Sequence, residues 1–233
     1  MIAASLPSTP GLEKVKARLA GARILPIVTL DDSAKAADLA HAILRGGIRI
    51  MEITLRTPSA LVAIRKITEA CPEMLVGAGT ILEPGQVHEA MDAGARFGLA
   101  PGLDQQVWEA SLQEDFVMIP GVMTPSESVQ AMHWGCSLQK FFPAEAAGGP
   151  AFLRALEGPL AHRGVRYIPT GGITAGNLRG YLGLKSVVAA GGSWMVSSPL
   201  VKKGDWDGIT ELVEEAVQVA ALGGAFSKDA SPV

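Results

Sequence analysis

The chain has little of several things that would assign it to a function class directly. Only two of its 233 residues are cysteine, Cys71 and Cys136. Two distant thiols provide neither a disulfide framework nor a metal motif, and they fit core positions in a reducing compartment. Histidine is equally sparse: His41, His88, His133 and His162 stand apart with no pair at ligand spacing, so no metal is expected. Aromatic residues make up 5%, and Trp108, Trp134, Trp194 and Trp206 form no pattern that would mark a cofactor box. The net charge is −3, without a basic stripe, which gives no electrostatic footprint for nucleic acid or an acidic membrane surface. No apolar run reaches the ~20 residues that span a bilayer. Met1 to Pro10 lacks the basic segment and apolar run of a secretory signal. The expectation is a soluble cytoplasmic protein with neither nucleic-acid nor membrane partners.

What the chain does have is aliphatic. Hydrophobic residues make up 48%, and 27 residues are glycine, a composition suited to closely packed strands and helices. A chain of this length can bury a sizeable core. Eight apolar runs recur: 23–30, 48–56, 74–80, 96–100, 116–121, 137–142, 165–170 and 186–190. Between them lie amphipathic segments with helix signals, such as the Asp31-Asp32-Ser33 cap before 34–44 and Thr57-Pro58 before a helix through Glu69. Continuous apolar strands alternating with helices imply a parallel sheet covered on both faces. Eight such units predict a (β/α)8 TIM barrel, preceded by a helix over 11–20. No long linker interrupts the alternation, so one domain is expected over 1–233, with a core at about 24–221 and loose tails at 1–10 and 226–233.

In such barrels chemistry is carried at the C-terminal ends of the strands. Lys140 lies within the sixth run, where a charged side chain needs a reason to be. Side chains alternate along a strand. Lys140 therefore shares the inward face with Leu138 and Phe142, while Phe141 faces the helices. On the second run, Glu52, Thr54 and Arg56 share the inward face, leaving Met51, Ile53 and Leu55 to the helices. An inward acid and an inward amine form either a structural ion pair or an acid–base group beside a nucleophile, and burial favours the neutral amine that attacks carbonyls. Arg56 is either a solvated loop residue or a clamp for a carboxylate. Thr80, Pro101, Thr170 and Ser193 also stand at strand ends.

Glycine pairs close the last two runs: Gly171-Gly172 and Gly191-Gly192. Such pairs are ordinary turn chemistry, but on these two strands their backbone N–H groups can cradle a phosphate. Gly77-Ala78-Gly79-Thr80 lacks the third glycine of a dinucleotide fingerprint and predicts no nucleotide site.

Five motifs occur in register: Glu52-Ile53-Thr54-Leu55-Arg56-Thr57, Gly77-Ala78-Gly79-Thr80, Lys140-Phe141-Phe142-Pro143-Ala144-Glu145, Pro169-Thr170-Gly171-Gly172-Ile173 and Gly191-Gly192-Ser193-Trp194. From about Ile24 to Ala221 the chain resembles the 2-keto-3-deoxy-6-phosphogluconate (KDPG) and 4-hydroxy-2-oxoglutarate (KHG) aldolases. The resemblance implies a class I aldolase that needs no metal or cofactor, is usually a homotrimer, and serves the Entner–Doudoroff route of carbohydrate breakdown. It implies Lys140 as the Schiff-base lysine and Glu52 as general acid and base. Arg56 and Thr80 would hold the substrate carboxylate. Pro101, Phe142 and Thr170 would line the pocket, and Gly171, Gly172, Gly192 and Ser193 would meet the phosphate. An aldolase for the galactonate epimer and a non-catalytic barrel that binds phosphate ligands are the alternatives. Pro143-Ala144-Glu145 reads as the turn at the mouth of the site.

Overall fold

The computed structural model describes residues 9–223. Helix α1 (Pro10–Ala22) begins where Pro10 supplies a preset first turn and the Thr9 hydroxyl accepts the N–H of Leu12 at 3.2 Å. Thr9 and Pro10, expected in a loose tail, therefore belong to the helix start. The rest of the expected tails, 1–8 and 226–233, lies outside the described residues.

Parallel strands and helices alternate from there on. The first strands are β1 (Ile24–Val28), β2 (Ile50–Thr54), β3 (Leu75–Gly79), β4 (Phe97–Leu99) and β5 (Val117–Ile119). The helices between them are α2 (Ala36–Arg45), α3 (Ala60–Ala70), α4 (Gly85–Asp92) and α5 (Gln105–Gln113). Then come β6 (Gly121–Val122), α6 (Pro125–His133), β7 (Leu138–Phe141), α7 (Gly149–Leu160), β8 (Arg166–Pro169), α8 (Ala175–Leu182) and β9 (Ala190–Gly192). A 3-10 turn (Trp194–Val196), α9 (Ser198–Lys203) and α10 (Trp206–Gly223) complete the described chain. The expectation of a parallel α/β fold is met.

The strands form two sheets, in the orders β5-β4-β3-β2-β1-β9 and β6-β7-β8. Their division has a local cause. The fifth apolar run is split at Pro120, which has no N–H to give to a ladder. The Pro120 carbonyl still accepts the Lys140 N–H at 2.9 Å, so one continuous stretch serves both sheets. On the other side two isolated bridges, Tyr167 to Val187 and Thr170 to Gly191, connect β8 to the β9 segment.

Three local expectations are corrected. The helix foreseen from Pro58 starts at Ala60, because the Thr57 and Ser59 hydroxyls donate to the Leu30 carbonyl and hold 57–59 as a turn. The last strand was expected at 186–190 with glycines closing it. The paired residues are instead Ala190, Gly191 and Gly192, opposite Ile24, Leu25 and Pro26. Helix α9 was not foreseen.

The helices bury their apolar faces on the outer side of the strands, where Leu39, Ile43, Ile53, Ile64, Ile67 and Val76 have no solvent exposure. Phe141 stacks on Phe152 of α7 with 5.6 Å between ring centroids, so it faces the helix layer as its parity required. Gln139 lies on the same side, and its amide is fully used. It donates to the carbonyls of Ser128 and Cys136, at 3.0 and 3.2 Å, and accepts the Ser128 hydroxyl at 2.6 Å. The odd-numbered positions of β7 are thereby held outward, and Lys140 is left inward. Among the described residues no helix is long and apolar enough to cross a membrane.

Candidate active site

A cavity of about 620 Å³ opens at the C-terminal ends of the strands. Its wall brings together all eleven residues singled out in the sequence: Glu52, Arg56, Thr80, Pro101, Lys140, Phe142, Thr170, Gly171, Gly172, Gly192 and Ser193. They come from six separate strand ends, those of β2, β3, β4, β7, β8 and β9.

Glu52 is fully buried and Lys140 is 6% exposed. The two are placed by register: Glu52 stands opposite Gly77 on β3 and Ile27 on β1, and Lys140 opposite Gly121 on β6 and Ile168 on β8. Nζ of Lys140 lies 3.6 Å from Oε1 of Glu52 and 5.5 Å from the centroid of the Phe142 ring. That is ion-pair range but longer than a hydrogen bond. Neither carboxylate oxygen of Glu52 has a hydrogen-bond partner, nor has the buried hydroxyl of Thr170. Buried polar atoms are almost always paired, so three such atoms around one cavity mark a place prepared for a ligand or water.

Gly79 makes room for this arrangement. A Cβ there would overlap the Glu52 carboxylate. The next residue, Thr80, has φ of 61°, a left-handed conformation that is costly for a β-branched side chain. Hydrogen bonds on both sides hold it, from Leu55 N–H to the Gly79 carbonyl at 2.7 Å and from Ile81 N–H to the Leu99 carbonyl at 3.1 Å. Arg56 is exposed at the mouth. Gly171 and Gly172 have φ of 95° and 82°, so the turn after β8 is left-handed at two successive residues.

Sequence reasoning missed part of the wall. Thr29 ends β1's apolar run, and its hydroxyl lies 3.0 Å from that of Thr54. The strand-end rule would have found it. Ile27, Ile173, Trp194, Val196, Ser197, Ser198 and Pro199 also line the cavity. Ser197 before Ser198-Pro199 is a helix-start pattern, readable as the beginning of α9. His41, His88, His133 and His162 are all exposed, and both cysteines are buried. Among the described residues no group of three or more His, Cys, Asp or Glu side chains is arranged to hold a metal ion.

A family profile described as aldolase, KDPG and KHG aldolase, matches residues 15–212. The chain belongs to the KDPG and KHG aldolase family. It is 44% identical to the KHG/KDPG aldolase of Escherichia coli K12 over 199 residues, which is 85% of this chain and 92% of that protein. Among solved structures it is similar to the KDPG aldolase of Legionella pneumophila, at 38% identity and a TM-score of 0.83. That match covers 90% of this chain and 98% of the other. The Legionella structure holds pyruvate captured at low pH as a covalent carbinolamine intermediate. The Zymomonas mobilis ZM4 aldolase is 35% identical with a TM-score of 0.81, covering 88% of this chain and 95% of that one, and was solved with 3-phosphoglycerate. In this aldolase fold the strand-end cavity is where the inward lysine and carboxylate meet.

Proposed function

We propose that the protein is a class I aldolase that cleaves KDPG to pyruvate and glyceraldehyde 3-phosphate, and KHG to pyruvate and glyoxylate. The observation that carries this is the buried Lys140–Glu52 pair in the strand-end cavity of a KDPG and KHG aldolase. A carbinolamine of pyruvate in the Legionella relative agrees with amine chemistry.

In this reading Lys140 Nζ attacks the C2 carbonyl of the 2-keto acid, and loss of water gives a protonated imine. That cation accepts the electron pair of the C3–C4 bond as the C4 hydroxyl loses its proton and becomes an aldehyde. The remaining enamine takes a proton at C3, and water releases pyruvate from Lys140. Glu52 carries the protons, because it is the carboxylate within reach and its oxygens are uncommitted. Acid–base help of this kind contributes about 10²–10⁴-fold. Arg56 and Thr80 hold the substrate carboxylate. Pro101, Phe142 and Thr170 shape the pocket. Gly171, Gly172, Gly192 and Ser193 receive the phosphate, consistent with 3-phosphoglycerate in the Zymomonas relative.

The same proposal includes a closed (β/α)8 barrel as a single domain. Pro120 joins β5 to β6 along the chain, and the two bridges join β8 to the β9 segment. It also includes a homotrimer in the cytoplasm, in keeping with the family resemblance. The imine supplies the electron sink, so no metal is required.

The test is cleavage of KDPG against its C4 epimer derived from galactonate, with pyruvate measured as product. Faster turnover of the gluconate-derived compound, unaffected by chelators, is expected. Preference for the epimer would reassign the substrate, and no cleavage of KDPG, its epimer or KHG by folded protein would leave only a binding barrel.

A further inference from the structure

Three consecutive peptide carbonyls in the turn between β8 and α8 are held from outside the cavity. The Thr170 carbonyl accepts the N–H of Ala144 at 2.8 Å, and that of Gly171 accepts the N–H of Glu145 at 3.1 Å. The Gly172 carbonyl accepts Nδ2 of Asn177 at 2.9 Å. In a trans peptide the C=O and the following N–H point in opposite directions. Pinning the three carbonyls therefore turns the N–H groups of Gly171, Gly172 and Ile173 away from these donors. All three residues line the cavity, and successive N–H groups in such a turn form a concavity suited to an anion.

Glu145 stands behind this turn. Its Cβ and Cγ lie 2.7 Å from where a side chain of Gly172 would begin, so its stem fills the space at the back of the loop. Its carboxylate is not part of the cavity wall. Oε1 accepts a hydrogen bond from the hydroxyl of Tyr181, which is fully buried on α8. Burial pushes the Tyr181 hydroxyl pKa up, and the hydrogen bond and charge of Glu145 push it further. The proton therefore stays on the donor. Cut loose from Tyr181, the carboxylate would be a negative charge free to move beside a turn that receives a negative ligand, and like charges at such range cost affinity.

We propose that Glu145 and Tyr181 are positioning residues for recognition of the phosphorylated end of the substrate. They brace the Gly171–Gly172 turn in its N–H-inward form and hold the Glu145 carboxylate away from the anion. The inference rests on this turn being the phosphate site, and it predicts that the two residues matter for phosphorylated substrates alone.

The test uses the full chain with Tyr181→Phe, Glu145→Gln and Glu145→Ala. KM and kcat are measured for KDPG and for unphosphorylated KHG, together with the inhibition constant of inorganic phosphate. Tyr181→Phe and Glu145→Ala should raise the KM for KDPG and the inhibition constant of phosphate by about tenfold, the scale of one lost charge-assisted hydrogen bond. Cleavage of KHG should stay unchanged. Glu145→Gln, whose amide oxygen still accepts from Tyr181, should stay near the parent. Equal losses on both substrates would make the pair a general structural contact and overturn the proposal, as would an unchanged KM and inhibition constant in both variants. A parent enzyme that cleaves KDPG and KHG but ignores inorganic phosphate would remove the phosphate assignment of the turn, and the proposal with it.

Discussion

Nζ of Lys140 lies 3.6 Å from Oε1 of Glu52, with both side chains almost wholly removed from solvent and the carboxylate otherwise unpartnered. A pair kept for stability would be drawn into a hydrogen bond and have its remaining lone pairs satisfied. In the proposed mechanism this spacing leaves the amine free to attack and the carboxylate free to exchange protons. Glu52→Gln should therefore lower kcat by about 10²–10⁴-fold while pyruvate still reaches Lys140. Steady-state kinetics beside pyruvate binding check this, and a kcat within a few-fold of the parent would remove Glu52 from proton transfer.

Gly79 tests the same geometry from the neighbouring strand. A Cβ at this position cannot coexist with the Glu52 carboxylate where it stands. Gly79→Ala should displace the carboxylate, lowering kcat by more than about tenfold and destabilising the fold by about 1–3 kcal/mol, as overpacking does. Activity assays and urea denaturation report the two effects separately.

The pH dependence of stability has a clear contributor in Glu127, the third residue of α6. Burial alone would raise its carboxyl pKa, but the N–H groups of Met123 and Thr124 and the Thr124 hydroxyl more than offset this and leave it lowered. A depressed folded-state pKa gives stability that is present above the unfolded value and lost as pH falls through the folded one. Glu127→Gln keeps a side chain able to cap but removes the charge. The parent should be the more stable of the two at pH 7. The difference should begin to shrink as pH falls below about 4, the unfolded carboxylate range, and go on shrinking as pH falls through the lower folded-state value. Urea titrations from pH 3 to 7 would show it, and a constant difference would contradict it.

The thiols should be inert in the native state. Burial pushes the Cys136 thiol up to about 12, and burial with the nearby Glu73 raises that of Cys71. Thiolate is the reactive form. A disulfide reagent at pH 8 should label neither cysteine until denaturant is added, and then both.

The inward pair was legible in the sequence because parity works where one face of a strand must be apolar. Met51 and Ile53 fix Glu52, and Phe141 fixes Lys140. The strand-end glycines were harder. Gly191-Gly192 reads as a turn, yet Gly191 is paired strand, and its missing side chain leaves room for Thr170 and Ile27. The break at Pro120 was equally hidden, since an apolar run containing one proline does not say which neighbour loses a hydrogen bond. The brace of Glu145 by Tyr181 joins residues 36 positions apart, and no local pattern announces it.

The central claim is that Lys140 forms the covalent bond to substrate. It is tested most directly by incubating the protein with pyruvate, reducing with borohydride, and locating the adduct by mass analysis of peptides. A stable pyruvyl adduct on Lys140, absent in Lys140→Met, is predicted. Folded protein that gains no adduct, or gains it on another lysine, would contradict the account.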